Sequence, residues 1–474
     1  MVSLSGPTGL YTDLYEIAMA CGYFLEKRHH ETAVFDYFFR TNPFEGGYTV
    51  FAGLRDFLEM LVDFRFSSND LDYLDNLGYQ HEFLHYLGSF HFQGNIDSVE
   101  EGEIVFPQEP LVRVEGTLVE AQLIESMLLN VLNFESLVAT KACRIRQAAG
   151  NRPVAEFGLR RAQGWGALQA SRASCIGGAD STSNVMAARK YGIPPSGTLA
   201  HSWIQSFGSE LEAFRNYAAI YGNKTILLVD TYDTLRSGIP NAITVAREME
   251  QAGKKLKGIR LDSGDLACIS KKAREMLDEA GLSYVMIVAS NQLNEYLIQS
   301  LLGEQEAPID AFGVGTELVS AKPDAALDGV YKLAVIGGAP RMKISENPEK
   351  TTLPGKKELV RFFNAKGFFM CDGILLSDDR PGELRSVVDP VHPEKRTSVR
   401  NLPYEYLLKP AVLKGNVLTG EKSPSEIREY LQYRIAHLPG EHLRFVNPHL
   451  FRVGISRNLL NLRNNLIKNT HRYE

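Results

Sequence analysis

The sequence predicts an α/β protein built on parallel strands with helices packed outside them, and three observations carry that expectation. From Arg152 onward, apolar runs of strand length alternate with helical patterns, the grammar of parallel β/α units. About seven such units precede Leu333, which favours a closed or nearly closed barrel, with a doubly wound open sheet as the alternative. Polar and charged residues recur where the runs end, and in a parallel barrel those carboxyl ends share one face.

The elements follow in order. Leu10–Phe24 has helical spacing, with Thr12 as cap, Leu14, Ile17, Ala18 and Cys21 on one side, and Tyr15 on the first turn. Thr32–Arg40 reads as an aromatic-rich strand and Pro43–Tyr48 as a loop. Phe51–Phe64 and Ser67–Leu87 read as helical, and Gly94–Val114 as short strands. Thr117 with Glu120 forms a capping-box pattern. It opens a long helical region to about Gly150, with a break expected near Asn133. The strand runs are then Val154–Gly158, Ser174–Gly177, a weak one at Thr198, Thr225–Val229, Gly258–Leu261, Tyr284–Ala289 and Ile309–Val314. Between them lie helical patterns at Asp180–Tyr191, Leu211–Tyr221, Asn241–Gly253, Leu266–Ala280 and Leu293–Leu302. After Leu333 the alternation stops. Lys343–Lys357 is polar and loop-like, Leu359–Phe363 and Gly367–Cys371 are strand-like, Ser423 with Glu426 opens a helix, and Arg457–Lys468 reads as a basic, solvated or docked helix. The expected division is 1–150, 151–335 and 336–474.

Composition narrows the function. A chain of 474 residues exceeds one ordinary core. With 51 basic and 57 acidic residues the net charge is −6, which gives no global reason to bind nucleic acid. No apolar run approaches the roughly 20 residues of a membrane span, and no signal-peptide pattern opens the chain. Five scattered cysteines without a C-x-x-C fit free thiols in a reducing cytoplasm, and neither a disulfide framework nor a cysteine zinc site.

The run ends carry the chemistry. The first supplies Glu156, Phe157, Arg160 and Arg161, and the second Gly177, Gly178, Asp180 and Ser181. The turn Pro194–Gly197 presents Thr198 and His201; the fourth run ends in Asp230 and Asp233. The fifth gives Arg260, Asp262, Ser263 and Asp265, the sixth Ser290 and Asn291, and the seventh Gly313, Gly315 and Thr316. Histidine serves as base, ligand or nucleophile. Arginines clamp carboxylate or phosphate through forked donors, and glycines let backbone amides approach a phosphate. The aspartates suit ribose hydroxyls or Mg²⁺. Each has a structural alternative: ion pairs for the arginines, helix caps for Asp180 and Asp265, a tight turn for the glycines. Together the groups describe a sugar-phosphate site with cationic anchors and one histidine.

The motifs TDLYEIAMACGYF, FDYFFRTNPFEGGYTVFAGL, EFGLRRAQG, SGTLAHSW, VDTYDTLRSG, IRLDSGDL, FGVGTELV and PRMKISENPEKTTLPG run in this order over nearly the whole chain. They resemble the nicotinate phosphoribosyltransferase family. The resemblance implies an irregular parallel β/α barrel with an N-terminal α/β domain and a small C-terminal extension partly returning to it. It further implies a cytoplasmic homodimer with sites at the interface. The implied reaction joins nicotinate to 5-phosphoribosyl 1-pyrophosphate, giving nicotinate mononucleotide and pyrophosphate for NAD salvage. ATP is co-substrate, and Mg²⁺ accompanies the phosphates. By the same resemblance, His201 is transiently phosphorylated and acts with Arg260 and Asp262 as the catalytic set. Tyr15, Phe157, Thr198 and Arg260 bind nicotinate, Tyr15 from the partner subunit. Arg160, Asp233, Ser290, Asn291, Gly313, Gly315 and Thr316 bind the phosphoribosyl pyrophosphate. The individual roles of Asp230, Asp233 and Asp262 stay open. The alternatives are a nicotinamide-preferring enzyme, against which SGTLAHSW lacks an acidic residue beside its tip, and a non-catalytic relative that binds the same ligands.

Overall fold

The computed structural model describes residues 9–346, 350–418 and 420–470, and they form two compact units. One gathers the described residues of Met1–Leu137, Ala326–Lys422 and Glu429–Glu474; the other is Val138–Ala325 with Ser423–Arg428. The regions expected at 1–150 and 336–474 thus contribute mainly to the same unit.

The first unit holds a seven-stranded antiparallel sheet. An inner strand, Thr32–Phe39, is flanked by Gly329–Ile336 and Val112–Thr117. Seven of its eight residues are buried, which explains why aromatics crowd a strand whose two faces are both covered. A second sheet of six strands contains Lys357–Phe363 paired with Phe369–Leu376. The first helix is Leu14–Leu25, with Asp13 and not Thr12 at its N-cap position and no side-chain cap bond; the Thr12 hydroxyl turns to Glu16 instead. Ser67–Leu87 splits into Ser68–Asn76 and His81–Gly88, parted at Gly78, whose φ of 91° suits a residue without a Cβ. Thr117 and Glu120 form the expected capping box. The helix break falls at Ile124, between Leu118–Leu123 and Glu125–Ala149, and not at Asn133. Asn133 stays inside the helix because its amide oxygen accepts from the Tyr37 hydroxyl at 2.9 Å.

The second unit is the predicted parallel sheet. Its strands lie in the order Ser181–Thr182, Val154–Glu156, Ala311–Val314, Met286–Ser290, Gly258–Leu261 and Ile226–Leu228, and all neighbours are parallel. Ser174–Gly177 is not a strand. It ends the helix Gly166–Gly177, whose small residues permit close approach: a Cβ on Gly177 would stand 2.2 Å from the Ala139 carbonyl oxygen. Consequently Gly177, Gly178 and Asp180 precede the short strand Ser181–Thr182 and lie away from its carboxyl end. Asp180 there pairs with Arg146 and Arg428. Thr198 lies in no strand; a single bridge from Thr182 to Pro195 extends the sheet. Among the described residues no backbone ladder joins that segment to Ile226–Leu228, so of the closed or nearly closed, irregular barrel expected, the pairing shows the parallel sheet and not its closure.

Five helices leave this sheet's loops with side-chain caps. Asn184, Ser209, Asp233, Asp265 and Asn294 each accept from the amide three residues on. Such caps fix where each loop ends and each helix begins.

Candidate active site

Arg260 is the hub of the carboxyl edge. It sits one residue before the end of Gly258–Leu261, and its side chain is 14% exposed. Its Nε donates to Ser290 Oγ at 2.8 Å, Nη1 to Thr198 Oγ1 at 2.9 Å and Nη2 to Asp262 Oδ1 at 2.9 Å. The guanidinium lies 5.4 Å from the centre of the Phe157 ring, within cation–π range. A guanidinium has five N–H donors, so a pair remains for an anion. The bond to Thr198 also ties the third loop to the fifth strand, where the backbone sheet is open.

Gly313 and Gly315 seat Phe157. A Cβ on Gly313 would stand 2.5 Å from the Phe157 ring, and one on Gly315 would stand 3.1 Å from the Phe157 carbonyl oxygen. The Phe157 amide donates to Val314 O at 2.8 Å. Glu156, fully buried, accepts from Ser171 Oγ at 2.9 Å, from Thr182 Oγ1 and from the Gly158 amide. These bonds fix the turn from which Phe157 projects.

His201 begins the helix His201–Gln205. Its Nδ1 lies 3.1 Å from Thr231 Oγ1 and its Nε2 4.0 Å from Asp230 Oδ1. Asp230 Oδ2 accepts from the Asp262 amide at 3.1 Å and from Ser263 Oγ at 2.6 Å. Asp230 Oδ1 is buried and accepts no hydrogen bond among the described residues, so its free lone pairs face the imidazole. Thr231 and the buried state of Asp230 were not predicted. Their only signal was position, directly after the strand in LLVDTYDT.

The predicted residues therefore divide. His201, Asp230, Asp262, Arg260, Thr198, Ser290, Phe157, Gly313 and Gly315 form one connected group, and Thr316 follows it at the next helix start. Asp233 is occupied as a cap, accepting from the Arg236 amide at 2.9 Å. Arg160 is exposed and has no ion-pair partner among the described residues. Asn291 is exposed, with a φ of 91°. Tyr15 belongs to the first unit, on Leu14–Leu25, and is 46% exposed. Burial, then Glu125, Glu16 and Asp13, raise its hydroxyl's pKa. Beside it Glu16, hydrogen-bonded to Thr12 and Ser126, is pushed up to about 7, chiefly by burial.

A guanidinium with donors to spare above an aromatic ring, and an imidazole held beside it at the carboxyl edge of a parallel sheet, place the chain among α/β enzymes whose sites lie at strand ends. Sequence and structure comparisons narrow that class. The chain belongs to the nicotinate phosphoribosyltransferase family. Residues 10–133 match the nicotinate phosphoribosyltransferase (NAPRTase) N-terminal domain, 153–371 the nicotinate phosphoribosyltransferase (NAPRTase) family, and 356–463 the nicotinate phosphoribosyltransferase C-terminal domain. The nicotinate phosphoribosyltransferase of Bacillus subtilis is 44% identical over 458 residues, covering 94% of this chain and 92% of the relative. That of Homo sapiens is 34% identical over 520 residues, covering 96% of each. The crystal structure of human nicotinic acid phosphoribosyltransferase superposes with a TM-score of 0.87 at 32% identity, over 96% of this chain and 99% of that one. No described helix is long and apolar enough to cross a membrane.

Proposed function

We propose that this protein transfers the 5-phosphoribosyl group from 5-phosphoribosyl 1-pyrophosphate to nicotinate. The products are nicotinate mononucleotide and pyrophosphate, and ATP drives the reaction through a phosphorylated His201. The observation that carries this reading is the Arg260 cluster: one fork bonded to Thr198, Ser290 and Asp262 and lying over Phe157. The remaining N–H donors of Arg260 hold the nicotinate carboxylate, and Phe157 faces the pyridine ring. A carboxamide lacks the charge this fork rewards, so nicotinate is selected over nicotinamide.

In the transfer step the pyridine nitrogen attacks ribose C1. The bond from C1 to the pyrophosphate oxygen breaks, and its electron pair leaves with pyrophosphate. Pyridine is a modest nucleophile, so the enzyme acts by alignment and by stabilising charge as it develops. Arg160 and the turns at Ser290–Asn291 and Gly313–Thr316 hold the phosphoribosyl group. In the coupled step an imidazole nitrogen of His201 attacks the γ-phosphorus of ATP; the P–O bond breaks and ADP departs. The carboxylate of Asp230 favours the proton on Nε2, which leaves the lone pair on Nδ1 beside Thr231. Hydrolysis of the phosphohistidine returns the imidazole. Among the described residues no group of three His, Cys, Asp or Glu side chains is placed to hold a metal. Magnesium would accompany the phosphate substrates and offset their charge; Asp262, a partly exposed carboxylate beside Arg260, would be open to it.

The active form is a cytoplasmic homodimer in which Tyr15 completes a partner's site. Supporting this, Leu14, Tyr15, Met19 and Leu25 expose 65, 46, 38 and 51% of their surface along one helix, an apolar face suited to a second copy. The test incubates the purified protein with nicotinate, phosphoribosyl pyrophosphate and Mg²⁺, with and without ATP. Mononucleotide that rises with ATP, with ADP formed alongside, is the expected result. No mononucleotide, or a preference for nicotinamide in kcat/KM, overturns the reading.

A further inference from the structure

The turn after Met286–Ser290 is strained. Asn291 and Gln292 have φ of 91° and 48°, values disfavoured for residues with a Cβ. Such a conformation persists only where its surroundings over-determine it, and here they do. Asn294 caps the following helix, accepting from the Leu297 amide at 2.9 Å. The next residue, Glu295, is fully buried and gripped by two cations of the Glu125–Ala149 helix. Arg144 Nε donates to its Oε1 at 2.9 Å, and Lys141 Nζ pairs with its Oε2 at 2.6 Å. Arg144 Nη2 also donates to the Tyr296 hydroxyl at 3.0 Å. Both cationic side chains are 1% exposed. Burial lowers the pKa of the Lys141 ammonium, and Glu295 and Glu317 oppose that shift. Glu317 lies on the helix Thr316–Val319, which opens at Gly315.

Burying two cations with a carboxylate is an expensive way to hold a fold together, since a well-packed apolar cluster does as well or better. The expense is better matched to fixing a strained turn that must meet a substrate. We propose that Lys141 and Arg144 are positioning residues for phosphoribosyl pyrophosphate. They clamp Glu295 and so hold the Asn291–Gln292 turn in its strained shape. This inference rests on the function proposed above.

The test compares wild type with Lys141→Met, Arg144→Lys and Gln292→Gly. Lys141→Met keeps the Arg144–Glu295 pair, and Arg144→Lys keeps both positive charges. It should raise the KM for phosphoribosyl pyrophosphate about tenfold and leave that for nicotinate within about twofold. Gln292→Gly, introduced alongside Lys141→Met, should regain part of the loss, because glycine adopts positive φ without the clamp. A purely architectural role would lower the thermal midpoint and the active fraction without separating the two KM values. An unchanged KM for phosphoribosyl pyrophosphate in both Lys141→Met and Arg144→Lys, or equal rises for both substrates, overturns the proposal. Calorimetric affinity for phosphoribosyl pyrophosphate alone, measured on the same proteins, reads the clamp without turnover. Wild type that binds it yet makes no mononucleotide overturns the function and leaves the clamp standing if Lys141→Met weakens that binding.

Discussion

Replacing Gly313 by alanine puts one methyl group where the Phe157 ring now lies. The added carbon would stand 2.5 Å from Phe157 Cδ2 and Cε2, whereas carbon contacts settle at about 3.5–4.0 Å, so something must retreat by roughly 1 Å. The backbone is poorly placed to yield, because Gly313 is buried and paired in register with Ser290 on one side and Ala155 on the other. The ring gives way, and with it the face under Arg260. Misplacing a substrate-orienting group by that distance costs on the order of 100-fold, or about 2.7 kcal/mol in kcat/KM. Steady-state kinetics with each substrate varied in turn should show that loss for nicotinate and a smaller one for phosphoribosyl pyrophosphate, since the same turn is proposed to hold its phosphoribosyl group. In a Phe157→Ala background the same substitution should cost little more, since the clash is gone. Gly313→Ala with wild-type kinetics, or losses that simply add in the double variant, would refute the reasoning.

Four further substitutions probe other parts of the molecule. His201→Ala should abolish the ATP-stimulated component and ADP formation while leaving slow ATP-independent transfer; undiminished ADP release removes the phosphohistidine. Arg260→Ala breaks three hydrogen bonds of 2.8–2.9 Å and should raise the KM for nicotinate about 10- to 100-fold, well beyond its effect on phosphoribosyl pyrophosphate. Equal effects on both substrates would deny it the carboxylate. Glu16 is shifted up from 4.5 to about 7, so the folded state keeps a proton that the unfolded state has released. Its stabilising contribution is complete below pH 4.5 and is lost as pH rises through about 7. Glu16→Gln should flatten the fall of the thermal midpoint over that window, incompletely because Glu125 is also raised; an identical slope contradicts the assignment. Asp265→Ala removes a cap that holds the Cys268 amide at 3.0 Å. It should cost about 1 kcal/mol in denaturant unfolding with both KM values unmoved, and a selective kinetic defect would return Asp265 to the site.

The parallel sheet was legible because its strands are short apolar runs separated by well-marked helices. Gly258–Leu261 falls as expected, and the other long runs differ by a residue or two at their ends. Two of the seven expected runs correspond to no strand of the six-stranded sheet. Ser181–Thr182 is two residues long, too short to leave a periodic pattern, and Pro195 contributes a single bridge. The nearby Ser174–Gly177 resembles a strand in sequence because small residues give neither period strongly. What fixes it as helix is its packing on Ala139, which lies far off in sequence. Asn133 misled for a related reason: a polar residue within an apolar pattern looks like a break until its partner, Tyr37, is seen. Within the site, residue types and strand-end placement pointed to Arg260, Thr198 and Phe157. The Asp230–His201 approach and the seating of Phe157 on Gly313 depend on how separate strands align, which no local window contains.

The ribosome delivers this chain in an order at odds with its architecture. Val138–Ala325 is continuous and, with only Ser423–Arg428 to come, can fold as soon as it emerges. Met1–Leu137 is made first but waits: Thr32–Phe39 must find Gly329–Ile336, and Asn95–Ser98 must find Lys409–Leu413. Until then the nascent N-terminal strands carry open edges and uncovered aromatics, which invite wrong pairing. A stop codon near residue 400 would therefore not trim a tail. It would leave the earliest-made sheet without one of its borders, and the lesion would surface as an insoluble N-terminal unit beside a middle already folded.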